Sequence, residues 1–322
     1  MTDPIILGTR GSKMALAQTD QVMNLVQAAN PGLTCTPRII KTSGDWKPED
    51  GEKRLADALG GKGLFVKEIE QALLDNVIHV GVHSLKDVPS FLPAGLGIDH
   101  VLKRDDPRDM FISRTQDDLF SLPSGSVVGT ASLRRQSIVK KLRPDLVVTT
   151  LRGNVPTRIE KLKSRQIDAM ILSYSGLVRL GLADLTATEG LYGGPLDPSI
   201  MLPACGQGVI AIETRLDDTH TRTMMDKIHH VDTGLCVSAE RLVLQTLDGN
   251  CNTPIGAYAT LEHGQMYIRA FIAVPDGTES YQAERMGPVK SIEDAHTMAF
   301  DLAQDVLAHA PDGLLTVCRT GT

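Results

Sequence analysis

From residue 4 to about residue 180 the sequence repeats one unit: a short β-branched run, a turn of small polar residues and glycines, then a stretch with helical period. That rhythm admits few folds, because strands alternating with helices pair in parallel and need helices on both faces to cover them. Ile5 to Gly8 reads as a strand, and Ser12 as the cap of a helix whose apolar face carries Ala15, Val22, Val26 and Ala29. Leu64 to Asn76 places Phe65, Ile69, Ala72 and Leu73 on one helical face, and Val77 to Val82 follows as a buried strand. Three more units follow. Ser126 to Gly129 precedes a helix near Ser132, Leu146 to Leu151 precedes one near Asn154, and Ala169 to Leu172 precedes Ser175 to Leu180.

At 322 residues the chain exceeds one typical domain, and three are expected. Apolar content of 42% with only 4% aromatics suits the aliphatic core of covered parallel sheets. The polar run Lys103-Arg104-Asp105-Asp106-Pro107-Arg108-Asp109 separates two apolar stretches and predicts a crossing between similar domains. A second crossing is expected near Pro203-Ala204-Cys205-Gly206-Gln207-Gly208. After about residue 230 the rhythm changes to one helix, three strands (256–262, 266–274 and 278–286) and a final helix near 291–309, which is an α+β pattern. The expected division is residues 1–104 with 208–228, residues 105–207, and residues 229–322.

Several function classes lose support. A net charge of −6 repels nucleic acid overall. No run of eighteen apolar residues, the length a membrane span needs, appears, and the start MTDPIILGTR has too short an apolar stretch for a signal peptide, so the cytoplasm is the expected compartment. Cysteines 35, 205, 236, 251 and 318 form no CxxC pair, and their odd number argues for free thiols rather than disulfides or zinc. His83, His229 and His230 lack ligand spacing, and no metal is expected. Gly60-Gly61-Lys62-Gly63 is not a phosphate loop, because Gly63 stands where Ser or Thr is needed.

Arginines are placed against the usual electrostatic preference. Cations are unfavourable in a helix's first turn, where the macrodipole is positive. Yet Arg10 and Lys13 flank the first helix start, Arg134 and Arg135 follow Ser132, and Arg152 and Arg158 bracket Asn154. Any one of these can pair with surface acids such as Glu160 or Asp145, at about 0–1 kcal/mol each. Taken together they point to bound anions, held by guanidinium forks and free backbone N–H groups at the carboxyl ends of the strands. Without a nucleotide loop, the anion class that fits is several carboxylates.

Asp87 ends the apolar strand beside Lys86 and before Val88-Pro89. A carboxylate there either caps a turn or faces a ligand's N–H and a developing positive charge. Cys251 follows Leu247-Asp248-Gly249-Asn250, where a helix is expected to give way to a loop. Most free cysteines fill cores, but a thiol in a loop is chemically available.

These residues stand in motifs. Thr9-Arg10-Gly11-Ser12, Gly61-Lys62-Gly63-Leu64-Phe65, Val82-His83-Ser84-Leu85-Lys86-Asp87-Val88-Pro89, Gly129-Thr130-Ala131-Ser132-Leu133-Arg134-Arg135, Leu151-Arg152-Gly153-Asn154-Val155, Gly206-Gln207-Gly208 and Cys251 occur in the order found in hydroxymethylbilane synthases, also called porphobilinogen deaminases. The chain resembles that family along nearly its whole length.

The resemblance implies two α/β domains of the periplasmic-binding-protein type (type II) with a cleft between them, and a small C-terminal α+β domain. It implies a dipyrromethane cofactor joined through a thioether to Cys251. The implied reaction deaminates four porphobilinogen units, joins them head to tail on that primer, and releases hydroxymethylbilane by hydrolysis. By matching position, Asp87 is the implied catalytic carboxylate. Lys86, Ser132, Arg134 and Arg135 are implied holders of the cofactor. Arg10, Ser12, Arg152, Arg158, Arg179 and Gln207 are implied to meet the substrate, mainly through its carboxylates. A monomer is implied, with porphobilinogen as the small-molecule partner and neither nucleic acid nor membrane.

The chain departs from the family pattern at Ala58, where many members have lysine, and at Asn250, which replaces a frequent glycine. The segment Thr186 to Pro198 is longer than usual. Two rival readings are a non-catalytic binding protein or sensor, which would need neither Cys251 nor Asp87, and a nucleotide-dependent transferase, which would need the missing phosphate loop.

Overall fold

The repeated units close into two five-stranded sheets, each carrying helices, with a third domain beside them. The computed structural model describes residues 4–44, 65–247, 253–311 and 314. The chain lays down β1 (Ile5–Thr9), β2 (Cys35–Ile39), β3 (Val80–Ser84) and β4 (Leu96–Val101). It then crosses to a second sheet for β5 (Asp109–Ser113), β6 (Val127–Gly129), β7 (Val147–Thr149), β8 (Ala169–Ser173) and β9 (Tyr192–Pro195), and returns to the first for β10 (Ile210–Arg215). The strand orders are β2-β1-β3-β10-β4 and β7-β6-β8-β5-β9.

The two sheets therefore share one plan. β1 pairs in parallel with β2 and β3, as β6 does with β7 and β8. In each sheet the strand that arrives from the other domain, β10 or β5, is antiparallel to both its neighbours. This exchange of strands ties the domains together through two chain crossings and brings the carboxyl ends of the parallel strands toward the loops that carry the motif residues.

Local chemistry explains the helices. α1 (Lys13–Ala29) starts where Ser12 Oγ accepts from the Ala15 N–H, and it buries Ala15, Val22 and Val26. α3 (Leu133–Leu142) follows α2 (Lys67–Leu74) and begins at Ser132, whose Oγ accepts from the Arg135 N–H. α4 (Val155–Lys163) begins at Asn154, which accepts from Thr157, with Pro156 in its first turn. The remaining helices are α5 (Tyr174–Arg179), α6 (Leu185–Glu189), α7 (Thr219–Asp226), α8 (Val231–Thr246) and α9 (Ile292–His309). α8 and α9 cover a three-stranded antiparallel sheet of β11 (Ile255–Glu262), β12 (Gln265–Ala273) and β13 (Ser280–Pro288). Their facing residues, among them Val243, Ile268, Ala299 and Leu302, form the third domain's core.

Two expectations need correction. The strand read as Val77 to Val82 begins three residues later, at Val80, and runs to Ser84. α2 ends with Asn76 at φ 55°, and the N–H groups of Val77 and Ile78 both fold back to the Ala72 carbonyl, so Val77 is still part of the helix's end. The polar run ending at Asp109 is shorter than it reads, because Asp109 is already the first residue of β5 and is fully buried. The longer segment Thr186 to Pro198 gains a structural role: it supplies β9, the edge strand that pairs with β5. Among the described residues no helix is long and apolar enough to cross a membrane, and no group of three His, Cys, Asp or Glu side chains is placed to hold a metal ion.

Candidate functional site

β3 delivers its chain into a single 3-10 turn, Leu85–Asp87. Leu85 anchors the turn in a core with Val209 and Val237, while Lys86 and Asp87 are only half-buried. Lys86 Nζ donates to Gln207 Oε1 at 3.3 Å. Burial pulls the Lys86 pKa down to about 8, opposed by the negative charges of Asp87 and Asp109, while Arg135 and Arg134 push in the same direction as burial. Those interactions define one cluster: three cations, Lys86, Arg134 and Arg135, facing two carboxylates.

Its centre is a residue that sequence reasoning missed. Asp109 is fully buried and accepts from Arg134 Nη2 at 2.7 Å, Arg135 Nη2 at 2.6 Å, Arg135 Nε at 3.0 Å and Gln207 Nε2 at 2.9 Å. Burial by itself would raise its pKa, but Arg134 and Arg135 override that and hold it well below the usual carboxylate range. Arg134 also donates to the Leu202 carbonyl and Arg135 to that of Ile171, so both guanidinium groups are fixed in direction. Arg134 Nε is buried without a hydrogen-bond partner among the described residues.

The second crossing wraps this cluster. Gln207 bridges Lys86, Asp109 and the Pro107 carbonyl. The glycines beside it are required by space and backbone conformation: Gly206 has φ +68°, and a Cβ there would stand 2.7 Å from Leu85 Cγ; Gly208 has φ +85°, with a Cβ 2.6 Å from the Asp105 carbonyl oxygen. Arg179 at the end of α5 donates to the Gly208 carbonyl at 3.0 Å and pairs with Asp105 at 2.6 Å. Its Nε is likewise buried without a partner among the described residues. Buried Glu240 on α8 accepts from Arg104 at 2.8 Å and from the N–H groups of Gly206 and Ala259, joining both crossings to the third domain.

The other expected residues lie at carboxyl ends of parallel strands. Arg10 follows β1 and stacks on Phe65 at 4.1 Å from the ring centroid. Arg152 follows β7 and is buried, and Arg158 Nε donates to the Gly153 carbonyl at 2.8 Å. Ser12 and Ser132 are helix caps. The first two domains approach where a Cβ on Gly176 of α5 would stand 3.3 Å from the Met14 methyl of α1. Cys251, Asn250, Ala58 and the Gly61 to Leu64 part of the glycine motif lie outside the described residues. Neither Glu160 nor Asp145 neutralises Arg134 or Arg135; Asp145 pairs with Arg143 instead.

A second buried acidic group lies behind the Asp87 turn. His83 Nε2 meets Glu213 Oε2 at 2.9 Å, and Glu213 Oε1 has no partner among the described residues. Burial, then the negative charge of Glu213, raises the Glu70 pKa to about 7, against the opposing pull of His83. A raised folded-state pKa means the folded state holds a proton that the unfolded chain has released between roughly pH 4.5 and 7. The stability of protonated Glu70 is therefore lost as pH rises through about 7. Glu70→Gln is expected to raise Tm by about 2–4 °C at pH 8, corresponding to ~1 kcal/mol, and by less than about 1 °C at pH 5. Equal shifts at both pH values in calorimetry would refute this.

A dipyrromethane carries acetate and propionate groups and pyrrole N–H donors. The cluster fits it: Lys86 and the guanidinium groups suit carboxylates, and Asp87 suits N–H groups. Among the described residues the Nε–H groups of Arg134 and Arg179 are further buried donors without a partner.

Residues 5–223 match the family model described as "Porphobilinogen deaminase, dipyromethane cofactor binding domain", and residues 234–308 match "Porphobilinogen deaminase, C-terminal domain". Among solved structures, the periplasmic VFT2 domain of BvgS from Bordetella pertussis is 15% identical, covers 70% of this chain and 85% of that chain, and has a TM-score of 0.41. An ancestral arginine-binding protein bound to arginine is 14% identical, with coverages of 71% and 91% and a TM-score of 0.40. The second substrate binding domain of a putative amino acid ABC transporter from Streptococcus pneumoniae is 10% identical, with coverages of 70% and 92% and a TM-score of 0.43. Likenesses this distant say nothing of ligand or activity, and the assignment rests on the two family models. Matched over most of its length by both, the chain belongs to the porphobilinogen deaminase family.

Proposed function

We propose that this chain is a hydroxymethylbilane synthase that condenses four porphobilinogen units on a dipyrromethane primer held by a thioether at Cys251. The observation that carries the reading is the cluster of Lys86, Arg134, Arg135 and Gln207 around buried Asp109, next to Asp87. An otherwise acidic chain concentrates fixed cations at one internal place, as carboxylate-rich pyrroles require.

When bound, the primer supplies a pyrrole carbon nucleophile that stays tethered. The chain's own residues do the rest. Lys86, Arg134 and Arg135, with Ser132 capping the helix that presents the two arginines, hold primer carboxylates. Arg10, Arg152, Arg158 and Arg179, with Ser12 and Gln207, hold those of the incoming porphobilinogen. Asp87 accepts pyrrole N–H groups and offsets the positive charge that develops on porphobilinogen as ammonia departs. Guanidinium groups fixed by Asp109 and by main-chain carbonyls need no reorganisation when the anion arrives, which favours catalysis by positioning. A thioether tether suits the expected cytoplasmic setting, because cellular thiols do not cleave it as they would a disulfide. Residues 103–109 and 203–208 serve as hinges, making room as pyrroles accumulate. The proposed division is residues 1–104 with 208–228, residues 105–207, and residues 229–322, in a monomer.

The test is the intact mass of the purified protein beside that of Cys251→Ala, together with porphobilinogen consumption by both. The expected result is an excess over the sequence mass equal to two linked pyrroles in the parent alone, with activity only in the parent. A parent at its bare sequence mass that neither acquires the group from porphobilinogen nor consumes it would favour a binding protein.

A further inference from the structure

α8 presents a stripe of residues spaced four apart to the segment that carries Asp87. Val237 shares a core with Leu85, the first residue of the 3-10 turn. One helical turn further, Arg241 Nη2 donates to the Pro89 carbonyl at 2.8 Å and to that of Ser90 at 3.4 Å, and Nη1 reaches the Val88 carbonyl at 3.5 Å. A turn beyond that, Gln245 Nε2 donates to the Ser90 carbonyl. The i, i+4, i+8 spacing puts all three on one helix face. They meet residues 85 to 90 in order, so the helix runs alongside the chain that leaves Asp87.

Pro89 has no N–H, while Leu85 N–H donates to the Val209 carbonyl and Val88 N–H to the Leu85 carbonyl. The carbonyls of Val88, Pro89 and Ser90 take side-chain donors from α8. The same helix ends at Thr246, and Cys251 lies five residues beyond it in sequence (251 − 246).

We infer that Arg241 and Gln245 are positioning residues that strap the Asp87 turn to α8, fixing the catalytic carboxylate relative to the helix from which the primer-bearing segment extends. Neither residue touches the reacting atoms; each acts through the main chain that follows Asp87. Loss of the strap leaves carboxylate binding by the arginines intact and misplaces Asp87, so turnover falls while substrate affinity holds. The kinetic part rests on the proposed synthase activity, and the structural part does not.

The experiment uses the holoenzyme, with Gln245→Met and Arg241→Met made separately and Arg241→Lys as the conservative variant. Hydrogen exchange is followed in a peptide spanning residues 84–92 and in a control peptide from β11 and β12, beside kcat, KM for porphobilinogen and intact mass. The expected result is exchange about tenfold faster in residues 84–92 with the control unchanged. A kcat lowered about tenfold, KM within about threefold and primer mass retained should accompany it, with partial recovery in Arg241→Lys. Should Arg241→Met not fold, Gln245→Met decides alone. Exchange in residues 84–92 that is unchanged, or that quickens equally in the control, overturns the strap, as does a rise in KM at constant kcat. A parent without primer or porphobilinogen turnover overturns the synthase reading instead, and the exchange comparison still decides whether the strap holds the turn.

Discussion

Replacing Asp87 by alanine is expected to lower kcat for porphobilinogen about a thousandfold or more, ~4 kcal/mol of transition-state stabilisation, while the primer mass and the folded structure persist. The magnitude follows from the position of the carboxylate. It sits half-buried in a 3-10 turn anchored by Leu85, beside Lys86, which itself lies within the field of Arg134 and Arg135. Charge that appears on a pyrrole there would otherwise face a net excess of cations, so removing Asp87 takes away stabilisation and leaves repulsion. Asp87→Asn retains an oxygen acceptor but not the charge and is expected to recover only a small part of the loss. Steady-state kinetics with intact mass as a loading control checks both variants. A kcat for Asp87→Ala within about tenfold of the parent would remove Asp87 from the chemistry.

The largest expected effect on stability belongs to Asp109. Asp109→Ala leaves Arg134 and Arg135 buried without their shared counterion, and breaking a buried pair in this way costs roughly 3–5 kcal/mol. For a domain of this size that is a fall in Tm on the order of 10 °C, measurable by calorimetry. Asp109 sits at the start of β5, where the chain has just crossed between domains, so the loss also loosens Gln207 and the second crossing. Because the Asp109 pKa is depressed in the folded state, its contribution is present above the ordinary aspartate range and is lost only as pH falls through the lower folded value. The parent should therefore keep this stabilisation at pH 4–5, and the difference between parent and variant should shrink only in stronger acid. A Tm difference below about 2 °C at pH 7 would show that the two arginines find other partners.

How far the site could be read from sequence depended on the range of each interaction. The cap at Ser12 and the helix starts near Ser132 and Asn154 were legible because a cap is a contact within three residues. The arginine placement was legible because it conflicts with the helix dipole at each start, a local rule. Asp109 was not, because an aspartate at the end of a polar run looks solvated, and only the fold brings Arg134, Arg135 and Gln207 around it from 25, 26 and 98 residues away. Arg241 and Gln245 were hidden in the same way, since their partners are main-chain carbonyls more than 150 residues distant.

The sequence by itself determined the repeated strand–turn–helix units, though not all strands or their ends: hydrophobic period sets strand or helix, glycine and capping residues set the turns, and the motif residues fall near strand ends as a consequence. Only the tertiary structure decided that β10 and β5 return antiparallel into the opposite domain's sheet, that residues 186–198 supply an edge strand, and that one buried carboxylate orients two arginines. Local propensity acts over a few residues, whereas strand pairing and buried ion pairs are fixed by which distant surfaces must be covered together, and periodicity carries no record of that choice.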